Sequence, residues 1–272
     1  MAATDPELVF PLDSAIWQIS RERSGLIYGP AAAILQVAHP RVAQGVAQHS
    51  RFQSDTLGRL RRTLDSDNRI AFGPRAEADA MGARMHRTHQ EVKGETAPGM
   101  PGRNQYSAFE PDLLLWVLAT LVWGAVEGYT CIHEKPSLET RERFYRDMRI
   151  FGRYFGLSEE VGPQDWDGFE AYFAEQIHQP WLGNHEVCRE VTRAIVHPRD
   201  HPGTFLLGLG VDFLPLETVP SPVRENLGLA STPWSRFRMQ VFRKVFPPFF
   251  RGCPKRWRFH PEAYQAWRRH RK

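Results

Sequence analysis

Between residues 59 and 94 the chain reads RLRRTLDSDNRIAFGPRAEADAMGARMHRTHQEVKG, which sets arginines and two histidines beside apolar residues at helical spacing. At ~100° per residue, Ala78, Met81, Met85 and Val92 form one stripe of a helix over 74–93, and that stripe must face the core. His89 falls about 40° from the centre of the stripe, next to Met85 and Val92, whereas His86 falls about 100° away on its flank. An imidazole on an apolar face either hydrogen-bonds a backbone carbonyl or ligates a metal. Haem iron takes a neutral imidazole from a helix inside an apolar wall, and Ala78, Met81 and Met85 are small or flexible enough to leave room for a macrocycle. Periodicity leaves both fates open.

The preceding helix, 55–72, carries Leu57, Leu60 and Leu64 on one side and Arg59, Arg62 and Thr63 on the other. This is either a solvated basic face or a covered one, in which guanidinium forks meet anions such as haem propionates or hydrogen-bond an oxygen ligand. Other metal and nucleophile chemistries lack their residues. There is no HExxH, no Gly-rich phosphate loop and no GxSxG elbow, and the single ExxH pair, Glu175 with His178, is half of what a di-iron carboxylate bundle requires.

The elements that must position these side chains are helices nearly throughout. The spacing predicts them at 13–23, 30–49, 55–72, 74–93, 110–133, 136–156, 165–178, 184–197, 222–228, 232–246 and 261–271, with Pro30, Pro74 and Pro111 in first turns and Ser137 as a cap. Loops rich in Pro and Gly are expected at 96–104 and 198–222, and TFLLGLGVDFL at 204–214 reads as a short strand or a loop. No run of alternating β-branched residues competes. The fold class is therefore all-α, one multi-helix domain over 1–272 around the apolar helix at 110–133.

With 272 residues, 42% of them hydrophobic, the chain can bury a sizeable core. Charge is unevenly placed. Residues 236–272 hold twelve Lys/Arg against Glu262 alone, and the rest holds 23 basic and 30 acidic residues. Such a tail suits nucleic acid or an anionic membrane surface, but Trp257, Phe259, Tyr264 and Trp267 interrupt it, which favours a last helix packed on an acidic body and no nucleic-acid partner. Cys131, Cys188 and Cys253 are too dispersed for a disulfide framework or a zinc site, and MAATDPELVF lacks the pattern of a secretory signal, so the expected setting is cytoplasmic. The longest uncharged apolar run, 113–126, is short of the ~20 residues of a bilayer span and reads as a core helix, so no transmembrane segment is expected.

Taken together, four blocks resemble the catalytic domain shared by MpaB-type oxygenases and the rubber-cleaving latex clearing proteins. They are Ala38-His39-Pro40 with Gly45-Val46 and His49-Ser50; Arg59 with Arg62-Thr63; His89 with Val92 and Gly94; and Tyr106, Ala108, Pro111, Leu114 and Trp116-Val117. The blocks lie in register over 29–122, and family-like helical spacing continues to about 197, so the family-like core is 13–197 and 198–272 is a divergent basic part. The resemblance implies a globin-like fold holding haem b, with His89 as the iron ligand and Arg62, Met85 and His39 near the cofactor. It also implies an oxygen-side pocket of Arg59, Thr63 and His49, and oxidative cleavage by dioxygen of a carbon–carbon double bond in a small apolar, isoprenoid-like substrate. The residues themselves leave His39 and His49 an equal role in stabilising the helix break at Pro40 and a helix end. Rubber-cleaving members carry lysine where Arg62 stands, and arginine, which keeps its proton, is not a usual iron ligand. Their distal glutamate has no counterpart, since Asp55 is the only acid between His39 and Arg59. The alternatives are a haem-binding or sensing protein without turnover, and a cofactor-free helical interaction protein.

Overall fold

Apolar residues at helical spacing dominate the chain, and the helices they predict form and pack on one another. The computed structural model describes residues 7–50, 56–196 and 212–270, without the side chains of 56, 57, 59 and 60. In order, the helices are α1 (Ala15–Ser20), α2 (Gly25–Ala38), α3 (Pro40–His49), α4 (Thr56–Phe72), α5 (Arg75–Glu91), α6 (Pro111–Ile132), α7 (Leu138–Arg153), α8 (Trp166–Ile177) and α9 (Glu186–Val196). They continue as α10 (Phe213–Thr218), α11 (Ser221–Asn226), α12 (Pro233–Gly252), α13 (Lys255–Arg258) and α14 (Pro261–Arg269). The fold is all-α, with one small hairpin, β1 (Lys93–Glu95) against β2 (Gln105–Ser107), antiparallel with Gly94 opposite Tyr106.

Helix α6 is the axis. Both of its ends carry charge, yet Leu113, Leu114, Trp116, Leu118 and Val122 are all buried. It is long and apolar enough to cross a membrane, but 61% of its apolar window is buried inside the protein, which marks a core helix. Helix α2 makes the most extensive contact with it, and α1, α7 and α12 complete the surround. The α2–α6 crossing is close because its residues are small: a Cβ on Gly128 would stand 2.9 Å from the Gly25 Cα and the Ser24 oxygen. The Trp116 indole N–H crosses to the Leu35 carbonyl at 2.9 Å, satisfying a buried donor. One buried apolar cluster extends from Leu8 to Ala266, so the last helix shares the main core.

Several elements differ from expectation, among them the short helix α13, which falls between the expected helices 232–246 and 261–271. The helix expected over 30–49 is two helices: α2 opens at Gly25 and encloses Pro30, and the chain breaks at His39, whose extended backbone leads into Pro40 at the start of α3. Helix α12 continues past 246 through Pro247 and Pro248 to Gly252, because Phe246 and Phe250 still have an apolar cluster to pack on. The loop expected at 198–222 contains α10, held by buried Phe213 and Leu214; residues 204–211 lie outside the described residues. The hairpin was not foreseen, since three residues per strand are too few to display alternation.

Candidate functional site

Helices α4 and α5 form an antiparallel hairpin closed at Gly73-Pro74 and tied across the turn by Arg69 and Glu77 at 3.6 Å. Both helices rise ~1.5 Å per residue, so counting back from the turn sets Thr63 and Arg59 along the same half of the hairpin as Met85 and His89. Helix α5 packs through Ala78 and Gly82, the latter against Tyr154 at the end of α7, and Met81 and Met85 continue the contact half-buried. His89 ends this row.

The His89 ring lies edge-on to Phe109 with centroids 6.0 Å apart, and its Nδ1 is buried with no hydrogen-bond partner. Burial holds its pKa below the usual histidine value, a polar contact between the ring and the Phe155 main chain opposes this, and nearby His86 adds to it. Burial thus favours the neutral ring, the form that ligates a metal, and its Nδ1 lies in a largely apolar surround beside Phe109. His86 is exposed, its ring 4.5 Å from Phe109. The wheel's ordering of the two histidines matches their burial.

Phe109 is the wall between them, and its place follows from two local devices. Glu110 accepts the Ser107 N–H at 2.7 Å and pairs with Arg41, which also meets Asp112, so the start of α6 is clamped to the end of β2 and to α3. From the other side, Gly156 turns the chain back at φ +102°, and a Cβ there would stand 3.1 Å from the Phe109 ring. Arg41 is 7% exposed, so its guanidinium is held by carboxylates rather than water.

The remaining candidate residues lie on α4 and at the two ends of α3. Arg62 and Thr63 lie on the exposed side of α4; the Arg59 backbone belongs to α4, and its side chain lies outside the described residues. His49 is exposed, with Nε2 3.1 Å from both the Lys93 carbonyl and the Tyr106 hydroxyl, so it fastens the end of α3 to the hairpin that follows α5. The Tyr106 hydroxyl in turn donates to Gln48. His39 stands at the other end of α3, about 15 Å away along the helix, so the two do not converge on one atom. It is 6% exposed, edge-on to Trp181 at 5.0 Å, with an unpartnered buried Nδ1 and a pKa pushed down to about 4 by burial, Arg41 adding to the shift. Its backbone sits at the helix break, the structural role the Pro40 motif allows.

The structure therefore brings Met85 and His89 together with His86 and Phe109, and sets His39 and His49 at opposite ends of α3. Sequence reasoning missed Phe155, Tyr154, Arg41 and Glu110. Arg41 pairs with Glu110 across 69 positions, a separation no local pattern encodes. Gly156 three residues after α7 was a usable signal, since glycine just past a helix marks a left-handed turn. Among the described residues no three His, Cys, Asp or Glu gather to hold a metal ion by themselves.

The sequence profile described as "ER-bound oxygenase mpaB/B'/Rubber oxygenase, catalytic domain" matches residues 16–247, reaching past the quoted motifs, which end at Val117. No curated protein and no solved structure matches the chain. A profile covering most of the chain, over a helical fold, settles the lineage: this chain belongs to the mpaB/rubber oxygenase catalytic-domain family, a family of oxygenases.

Proposed function

We propose that the protein is a haem b-dependent oxygenase that uses dioxygen to cleave a carbon–carbon double bond in a small apolar, isoprenoid-like substrate. The observation that carries the reading is the buried Nδ1 of His89, which lacks a partner at the motif position where the family resemblance puts the iron ligand. A polar nitrogen left unpaired in an aromatic wall is costly unless something it can ligate completes it. The residues present therefore fit a porphyrin iron, and haem b, when bound, supplies the redox chemistry that activates dioxygen.

The chain's part is to hold, orient and exclude water. His89 is kept neutral by burial, so its nitrogen is a ligand rather than a cation. Phe109, pressed from one side by Glu110 and Arg41 and from the other by Gly156, fixes the plane of the ring and shields it from solvent. Met85, one turn before His89, is half-buried and flexible enough to yield to a flat macrocycle. Helix α4 carries Arg59, Arg62 and Thr63, of which Arg62 and Thr63 are exposed, so in this reading they would serve propionate carboxylates at the solvent edge of the cofactor. His49 and His39 serve this reading by fixing the two ends of α3, which carries the hairpin behind His89.

The test is turnover. Hemin-reconstituted protein, given an unsaturated isoprenoid under oxygen, should release products with new carbonyl ends, detected by mass spectrometry with isotopically labelled dioxygen. Haem binding without such products would leave a haem-binding or sensing protein and overturn the oxygenase reading.

A further inference from the structure

The proposed chemistry makes no use of the most unusual surface of the molecule, the outer face of α12. Its inner residues, Met239, Phe242, Phe246 and Phe250, pack with Phe213, Leu214, Ile27, Tyr28 and Ile132. Its outer side is also apolar: Trp234 is 64% exposed, Phe237 53%, Val241 43%, Val245 61% and Phe249 68%. These five lie on one stripe that runs ~22 Å along the helix. Phe213 and Phe242 line the floor of a groove of about 380 Å³ beside the stripe, and Arg238 lies at its edge with Asp212. A contiguous exposed apolar stripe of this kind marks an interaction surface rather than a scatter of single side chains.

The charges around it say what covers it. Lys244 and Arg251 are exposed on one flank of the stripe, and the exposed Lys255, Arg256 and Trp257 continue from the helix end, within the segment 236–272 that holds twelve cations and one acid. A polar face rich in Lys and Arg beside a face of Trp, Phe and Val describes a helix that lies in the plane of a bilayer surface. We infer that α12 docks this protein on an anionic lipid surface, its stripe entering the headgroup region while Lys244, Arg251 and Arg256 meet lipid phosphates and carboxylates. Two other occupants fit less well. A second copy packed on this stripe would bring the same flanking cations against one another. A nucleic acid would answer the cations but leave Val241 and Val245, which have no ring to stack on bases, against a polyanion.

The test uses the full chain and sedimentation with vesicles of phosphatidylcholine, with and without phosphatidylserine. The protein should pellet with the anionic vesicles, bind neutral ones weakly, and be released by salt. Val245→Glu with Phe249→Glu should weaken binding by roughly tenfold or more per side chain. Lys244→Ala with Arg251→Ala should weaken it about fivefold per charge on anionic vesicles only. Absence of the protein from the anionic pellet overturns the inference. So does binding that Val245→Glu with Phe249→Glu leaves intact, equally tight binding to a single-stranded oligonucleotide that those changes spare, or a vesicle-indifferent dimer that they abolish. If the glutamate variant loses helical content, the unaltered chain still decides. Brominated lipid should quench its tryptophan fluorescence in a way that Trp234→Phe reduces, and no quenching would refute insertion.

Discussion

Replacing Arg41 with methionine should unfasten the frame around His89. The guanidinium is 7% exposed and sits between Glu110 and Asp112, whose side chains are 16% and 59% exposed. Asp112 faces water and contributes little. Glu110 is mostly covered: without Arg41 its carboxylate keeps only the Ser107 N–H, and breaking such a pair by removing one partner costs about 3 kcal/mol, the lower end of the range for buried pairs. At roughly 2–4 °C per kcal/mol for a chain of this size, the thermal midpoint should fall by about 6–12 °C. Circular dichroism on melting reads this directly, with helical content at low temperature unchanged. The double variant Arg41→Met with Glu110→Gln should recover much of the loss, because a neutral amide still accepts from Ser107 and needs no cation. Losses that simply add in the double variant, or a single-variant loss under about 1 kcal/mol, would refute the reasoning, since either result means that water already serves the Glu110 carboxylate.

Two further predictions concern packing and pH. Gly128→Ala places a methyl 2.9 Å from main-chain atoms of Ser24 and Gly25, which cannot swing aside, so chemical denaturation should show a loss of about 1–3 kcal/mol; an unchanged midpoint would mean that α2 and α6 are free to separate. His260 has a folded pKa pushed down to about 4 by burial, with Arg23 adding to the shift, against 6.5 for an ordinary histidine. Between those values the unfolded chain binds the extra proton, so stability is full above pH 6.5 and falls as pH drops toward 4, by about 3 kcal/mol for this group. His260→Gln should flatten that part of the stability–pH curve, and a curve of the same slope would show that the ring charges freely in the native state.

Much of the architecture was legible because helices announce themselves by period. The α4 and α5 boundaries and the burial of α6 follow from Leu, Met and Ala spacing alone, and the helical wheel sets His89 nearer the core than His86, as their burial does. What stayed hidden depends on partners distant in sequence. Pro247 and Pro248 read as a stop, yet α12 runs through them because Phe250 has the Phe213 cluster to pack on. The Arg41 clamp, the Phe155 contact and the β1–β2 pairing join residues that no local pattern links. The last helix packs on the body as its aromatic residues suggest, with Ala263 and Ala266 in the main core, but the outer stripe of α12, from Trp234 to Phe249, was not read from the sequence, because which way that helix faces is a fact of packing.

The central claim is that His89 holds a porphyrin iron, and the visible spectrum of the purified chain after reconstitution with hemin tests it most directly. The account predicts a Soret band that shifts on reduction with dithionite and again with carbon monoxide, kept in His86→Ala and lost in His89→Ala. A protein that stays colourless after reconstitution, or a His89→Ala variant with an unchanged haem spectrum, would contradict it.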